Sequence, residues 1–270
     1  MLKLKNSSLL IVILIALFPM FFACSDDRVE ESDPPKTPLK EIESSFSEED
    51  KFIKMQQEID SSEELNFGPT LDYLNTSTET HTSATVFFDN GKTIKKIVYQ
   101  EFGNDGSTET CSYYFSDNGS LFSWKSEMTM VKGETVLFTI IKSYLDSSEN
   151  TLFTFSKSSV DYDSLEFISF NRIDIIKKDK KKLLELVNQQ GPFETLFRGF
   201  SEFNGVNFMV VGTDDYTSTL EITTNSKGDI KKLLNNNTTY LGKKLNILFT
   251  KYTKQDNIEY QKLLNVKILN

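Results

Sequence analysis

Few residues of this chain are of the types that carry chemistry. His81 is the only histidine in 270 residues. A single imidazole cannot build a multi-histidine zinc centre within one chain. It could still pair with a nucleophile, but no Gly-x-Ser-x-Gly elbow is present. Its hydroxyl-rich surroundings, Thr80 to Ser83, read as an exposed loop. Cys111 alternates with Tyr113 and Phe115 on an apolar face, the setting of a small buried hydrophobe rather than a reactive thiol. Asp214-Asp215, beside Thr213 and Tyr216, could bind calcium, act as acid and base, or close a polar turn. A retaining glycosidase needs two carboxyls about 5 Å apart, and nothing in the sequence places two acids so. Lys177-Lys178 and Lys180-Lys181-Lys182 could receive an anionic headgroup or glycan, or form a solvated helix face. There is no phosphate loop and no dinucleotide fingerprint. No catalytic residue, metal ligand or cofactor site is therefore expected. The function expected is a non-enzymatic binding or accessory module, with a glycan or protein as ligand. The alternatives are a hydrolase built on acidic residues, or a subunit of a larger complex.

Composition sets the class of scaffold. The formal charge is −9, and the chain carries 22 phenylalanines and 10 tyrosines. An acidic protein repels nucleic acid, so no nucleic-acid partner is expected. With only two cysteines, Cys24 and Cys111, the core must rest on aromatic burial.

The elements follow from periodicity. Residues 41–65 read as an amphipathic helix, with Ser47 and Asp50 placed like a capping box and Phe52, Ile53, Met55 and Ile59 on one side. Residues 70–176 read as an antiparallel meander. Cys111, Tyr113 and Phe115 share one face, and Phe122, Trp124, Met128 and Met130 share another. Asn90-Gly91, Asn118-Gly119 and Asn204-Gly205 carry the strongest short hairpin signal, in which both turn residues take positive φ. The first two sit in similar aromatic flanks, a weak internal repeat. Gly106 falls in what reads as a looser polar loop. Residues 179–190 read as a helix capped by Asp179 and ended by Gly191-Pro192. Its first turn is Lys180-Lys181-Lys182, the wrong sign for the helix dipole, so tertiary contacts must hold it. Strands return to the C-terminus and suggest a small barrel or sandwich. The fold class expected is mainly β (α+β), with an N-terminal helix and a connecting helix. The divisions are 24–40, a Pro-rich charged linker; 41–176, helix plus meander; 177–192, the connecting helix; and 193–270, a C-terminal β domain.

Residues 1–23 stand apart. Lys3 and Lys5 precede an apolar run from Leu9 to Phe22, and Ala23-Cys24 follows. A basic end, an apolar run and a small residue before a cut mark a signal peptide. The run is shorter than the roughly 20 residues a spanning helix needs. Phe21-Phe22-Ala23-Cys24 resembles the lipobox of bacterial lipoproteins, which implies cleavage before Cys24 and a lipid upon it, and so a membrane anchor. Ser25-Asp26-Asp27 is similar to the acidic export signal of bacteroidete-type surface lipoproteins. It implies a lipid-anchored outer-membrane protein facing outward, or alternatively one facing the periplasm. Loss of residues 1–23 removes two lysines and no acid, taking the charge from −9 to −11. Cys111 would then have no disulfide partner within the chain. Asp163-Ser164-Leu165 matches the short O-glycosylation acceptor of exported bacteroidete proteins, which would place a sugar on Ser164. The stretches Val86 to Tyr99 and Tyr113 to Phe122 resemble the aromatic meander of bacteroidete lipoproteins and, loosely, YD- and MORN-like repeats. That likeness implies a scaffold rather than a chemistry.

Overall fold

Alternating apolar residues separated by five-residue polar turns give antiparallel hairpins, and hairpins dominate the chain. The computed structural model describes residues 39–254 and 259–269, with side chains from residue 48 onward. Residues 1–38, on which the expected signal peptide, Cys24, Ser25, Asp26, Asp27 and most of the expected linker fall, lie outside the described residues. In chain order the elements are α1 (Leu39–Asp60), β1 (Asn66–Pro69), β2 (Tyr73–Asn75), β3 (His81–Phe88), β4 (Ile94–Phe102), β5 (Thr108–Phe115), β6 (Leu121–Lys132), β7 (Thr135–Leu145), β8 (Thr151–Ser159), β9 (Asn171–Ile173) and α2 (Lys180–Asn188). After α2 come β10 (Phe197–Phe203), β11 (Val206–Gly212), β12 (Tyr216–Glu221), β13 (Lys227–Gly228), α3 (Ile230–Asn235), α4 (Asn237–Tyr240), β14 (Leu245–Thr253) and β15 (Glu259–Ile268). The fold is mainly β with a few helices, as its periodicity predicts.

Strands β2 to β9 pair in sequence order, all antiparallel. The small barrel or sandwich expected of the C-terminal strands takes the form of an extension of this sheet. Strand β12 pairs with β2 through Tyr216↔Asn75 and Thr217↔Leu74. One apolar cluster draws Tyr99, Cys111 and Trp124 from the meander, Leu183 and Leu186 from α2, and Met209, Leu220 and Leu263 from the C-terminal strands. Residues 43–270 form one compact unit.

The opposite face of the meander is covered by α1. Phe52 stacks on Tyr144 at 5.3 Å and on Phe122 at 6.3 Å. Gln56 donates to the Ser123 hydroxyl at 2.7 Å, and Asp60 accepts from Tyr114 at 3.0 Å and from Lys96 at 2.6 Å. The helix starts at Leu39, so Ser47 lies inside it and not at its start. The glutamates and lysines before it are good helix formers and give no stop.

A bulge separates two residues expected on one face. Tyr114 pairs with Ser123 but Phe115 with Leu121, so Phe122 is an extra residue. It turns Phe122 toward α1, while Trp124 joins the core cluster.

Helix α2 begins as expected, with the Asp179 carboxylate accepting from the Lys182 amide at 3.1 Å. Its end differs. The left-handed cap is Gln189, and Gly191, also at positive φ, opens a short 3-10 turn. Helix α3 breaks the run of strands expected after residue 196. At six residues it is too short to show a helical stripe, although Ile230 and Leu233 are buried.

Candidate functional site

Four turns of the meander are built alike. At Asp89–Thr93 the first amide donates to the last carbonyl at 3.0 Å, and the fourth amide to the first carbonyl at 2.9 Å. The same pair of bonds closes 103–107, 116–120 and 146–150. In each, the fourth residue has positive φ: Lys92, Gly106, Gly119 and Glu149. Asn-Gly at 90–91 and 118–119 is therefore not the two-residue hairpin turn. Gly91 and Asn118 are absent from the positive-φ residues, and one left-handed residue follows a tighter bend. Gly106 is not in a loose loop but holds the same position as Gly119. Only Asn204-Gly205 has positive φ at both residues and joins its strands directly, Phe203 opposite Val206. The repeat is thus real and wider than the Asn-Gly signal suggests.

Two of these turns border a cavity of about 830 Å³. Met55, Ile59 and Leu65 form one wall, at the end of α1 and just beyond it, and Phe115 and Phe122 line it from the sheet. Asp89, Asn90, Asp117 and Asn118 bring polar atoms to its rim, with Glu58 and Glu64 opposite. Lys95 ties the two turns together, its Nζ lying 2.6 Å from Asp117 Oδ1 and 3.3 Å from Asp89 Oδ2. The Asp117 bond is the main reason the Lys95 ammonium is held above its ordinary value. The Thr93 amide is the main reason the Asp89 carboxyl is held below its own.

A second cleft, of about 390 Å³, lies where the sheet forks. Strand β12 leaves β2 after Thr217 and meets β15, in parallel, at Glu221↔Lys262. Gln261 fills the gap. Its Nε2 donates to Ser218 Oγ at 2.9 Å, Thr219 O at 3.2 Å and Asp72 O at 3.3 Å, and its Oε1 accepts from the Asp72 amide at 2.8 Å. His81 opens β3 here rather than lying in a loop. Its Nδ1 is 3.9 Å from Asp72 Oδ1, too far for a hydrogen bond. Burial raises the Asp72 carboxyl above its ordinary value, Lys251 and His81 oppose that, and Glu259 adds to it. Glu259 itself is paired with Lys251 at 2.9 Å.

The remaining candidates make the following contacts. The Asp214 carboxylate accepts from Arg198 at 2.7 Å, and the carbonyls of Asp214 and Asp215 receive Thr76. Cys111 is buried, with its thiol pushed up to about 12 by that burial. Lys178, Lys180 and Lys182 pair with Glu109, Glu149 and Glu101 of the meander, and these contacts hold α2 despite its dipole. Ser164 lies in a short 3-10 helix, its hydroxyl bonded to Asp161. Among the described residues no group of three or more His, Cys, Asp or Glu could hold a metal. Among them too, no helix is long and apolar enough to cross a membrane.

Sequence reasoning missed the roles of Lys95, Asp72 and Gln261. The two Asp-Asn-Gly turns were the available signal for the first, because strand alternation puts every second turn at the same end of a meander. Nothing local marks the other two. No family model, no curated protein and no solved structure matches the chain.

Proposed function

We propose that the protein is a lipid-anchored envelope module that binds its ligand, without turnover, in the groove between α1 and the turns at 89–93 and 116–120. The groove carries this reading. It falls within the usual ligand-pocket range of roughly 300–1,000 Å³ and has apolar walls with a few convergent polar groups. Its one lysine is neutralised by two aspartates, and it holds neither a histidine nor a cysteine. The tether would be a lipid on Cys24, with Ser25, Asp26 and Asp27 directing the protein to the outer face of the outer membrane. A periplasm-facing position is the alternative. The sequence of residues 1–27 supports both.

A hydrolase is the second reading, favoured by a single observation. The fork cleft brings His81 and Glu259 near a carboxyl raised by burial, a pattern typical of catalytic acids. Against it, no serine, threonine or cysteine is hydrogen-bonded to the His81 ring among the described residues.

Two measurements test the proposal. Cys24→Ala should leave the chain unprocessed or soluble; unchanged membrane association sinks the anchor. Amide spectra recorded against a library of sugars, peptides and lipids should show shifts clustered at Asn90, Lys95 and Asn118. Shifts confined to Asp72 and His81, or released products, would move the function to the fork.

A further inference from the structure

Three turns share one end of the meander: 89–93, 116–120 and 146–150 join β3 to β4, β5 to β6 and β7 to β8. Strands lie about 4.8 Å apart, so these turns recur every 10 Å or so. The groove lies along the first two. Each turn brings an asparagine to it, the second residue of 89–93 and the third of 116–120. The Asn118 Oδ1 is occupied by Ser116 Oγ at 2.6 Å and the Ser120 amide at 3.0 Å. The Asn90 Oδ1 is occupied by Asn66 Nδ2 at 3.2 Å. In each asparagine it is the Nδ2 that is left to donate. The groove thus has an amide donor from each of two turns that lie two strand spacings apart, beside apolar walls, on a rim with four carboxylates and one lysine.

We infer that this groove takes a linear neutral glycan, laid across the turns with about two sugar rings per turn. The inference rests on the binding-module reading and names its ligand. The spacing fits because an extended pyranose chain advances by about one strand spacing per ring. Hydroxyl and ring oxygens accept from the two Nδ2 groups, and the apolar faces of the rings pack on the wall made by Met55 and Ile59. The excess of rim carboxylates repels uronate, sulfate or phosphate polymers. Phosphate chains and acidic peptides are poor fits for the same reason.

The test uses the full chain purified in detergent. Neutral gluco-oligosaccharides of one to eight rings, and uronic-acid oligomers of matching length, are titrated by calorimetry, with amide spectra recorded in parallel. Affinity should climb to about four rings, the span of two turns, and then level off. The uronates should bind at least about tenfold more weakly. Asn90→Ala should weaken the four-ring ligand by about fivefold with melting unchanged; Asn118→Asp, which keeps the acceptor for the Ser116 hydroxyl and the Ser120 amide and loses only the Nδ2 donor, should weaken it as much with melting unchanged. A single ring binding as tightly as four, or uronates binding as well as neutral sugars, overturns the inference. If no oligosaccharide binds but a peptide or lipid shifts the groove amides, the glycan assignment falls and the binding module stands. If nothing in any class shifts them, both fall.

Discussion

The groove and the fork are both clefts of the same sheet, yet they are made in opposite ways. The groove is assembled from neighbours: Lys95 and Asp117 are 22 positions apart, and the turns repeat one local design. The fork is assembled from the chain's extremes: Gln261 and Asp72 are 189 positions apart, and no part of it repeats. In the groove, charges are paired near solvent and the Thr93 amide holds Asp89 below its ordinary value. In the fork, a carboxyl is desolvated and its partners are distant. A repeated local design can change its rim residues without losing its shape. A junction closed by one buried glutamine cannot.

The sharpest test of this contrast is a pair of glycines. Gly212 has φ of 133° at the end of β11, and a Cβ there would lie 2.0 Å from the Tyr216 carbonyl oxygen and 2.9 Å from Thr217 Cα. Both are backbone atoms at the root of β12 and cannot rotate away. Gly212→Ala should cost more than about 4 kcal/mol, among the largest single-residue effects, or abolish folding. Gly119, at φ of 80°, has nothing within 4 Å of such a Cβ. Gly119→Ala should cost only the left-handed penalty of about 1–2 kcal/mol. Equal denaturant midpoints for the two variants would remove the distinction between the regions.

Next in size is Gln261→Ala. It strips the Asp72 amide and the Thr219 carbonyl of a partner inside the fork. Each buried orphan costs about 1–3 kcal/mol, so a loss of about 2–4 kcal/mol is expected. Hydrogen exchange at the Asp72 amide should accelerate with it. Unchanged protection would mean that the backbone, and not Gln261, holds the fork together.

The same contrast decides what the sequence could reveal. The meander was legible because alternation and turn residues are local signals, and α2 because Asp179 and its leucine stripe are local too. The exact turn was not, since Asn-Gly suits two turn geometries and only the strand register chooses between them. The bulge that sends Phe122 and Trp124 to opposite faces leaves no trace in apolar alternation. Lys95 looked like any strand lysine until two turns met over it. Asp72 and Gln261 carry no signal at all, because their partners are set by the closing of the sheet and not by their neighbours.

A smaller effect of opposite sign is expected at Lys92. It holds the left-handed position that glycine fills in two sister turns, with φ of 66°. Lys92→Gly relieves about 1–2 kcal/mol of backbone strain. It gives back about 0.5–1 kcal/mol in chain entropy. A net gain of up to about 1.5 kcal/mol should appear in a melt, and a loss would show that Lys92 does more than fill a turn.

The smallest effect separates the regions by pH. Burial raises the folded value of Asp72, so the folded chain holds that proton more tightly than the unfolded one does. The contribution of Asp72 is complete below its ordinary value of 3.8 and is lost as pH rises through the raised value. Asp146, in the third turn, is lowered chiefly by the Asn150 amide. Its contribution is present above 3.8 and is lost as pH falls through the lowered value. The two carboxylates therefore tilt stability in opposite directions. Asp72→Asn should melt like the parent in acid, where the carboxyl is already neutral, and above the parent at neutral pH. Asp146→Asn should match the parent only in the strongest acid and fall below it at neutral pH, because an amide oxygen accepts the Asn150 and Ser148 amides less strongly than a carboxylate does. Melting differences that slope the same way with pH would mean that the fork carboxyl is solvated like those of the turns, and the chemical contrast between the two clefts would be gone.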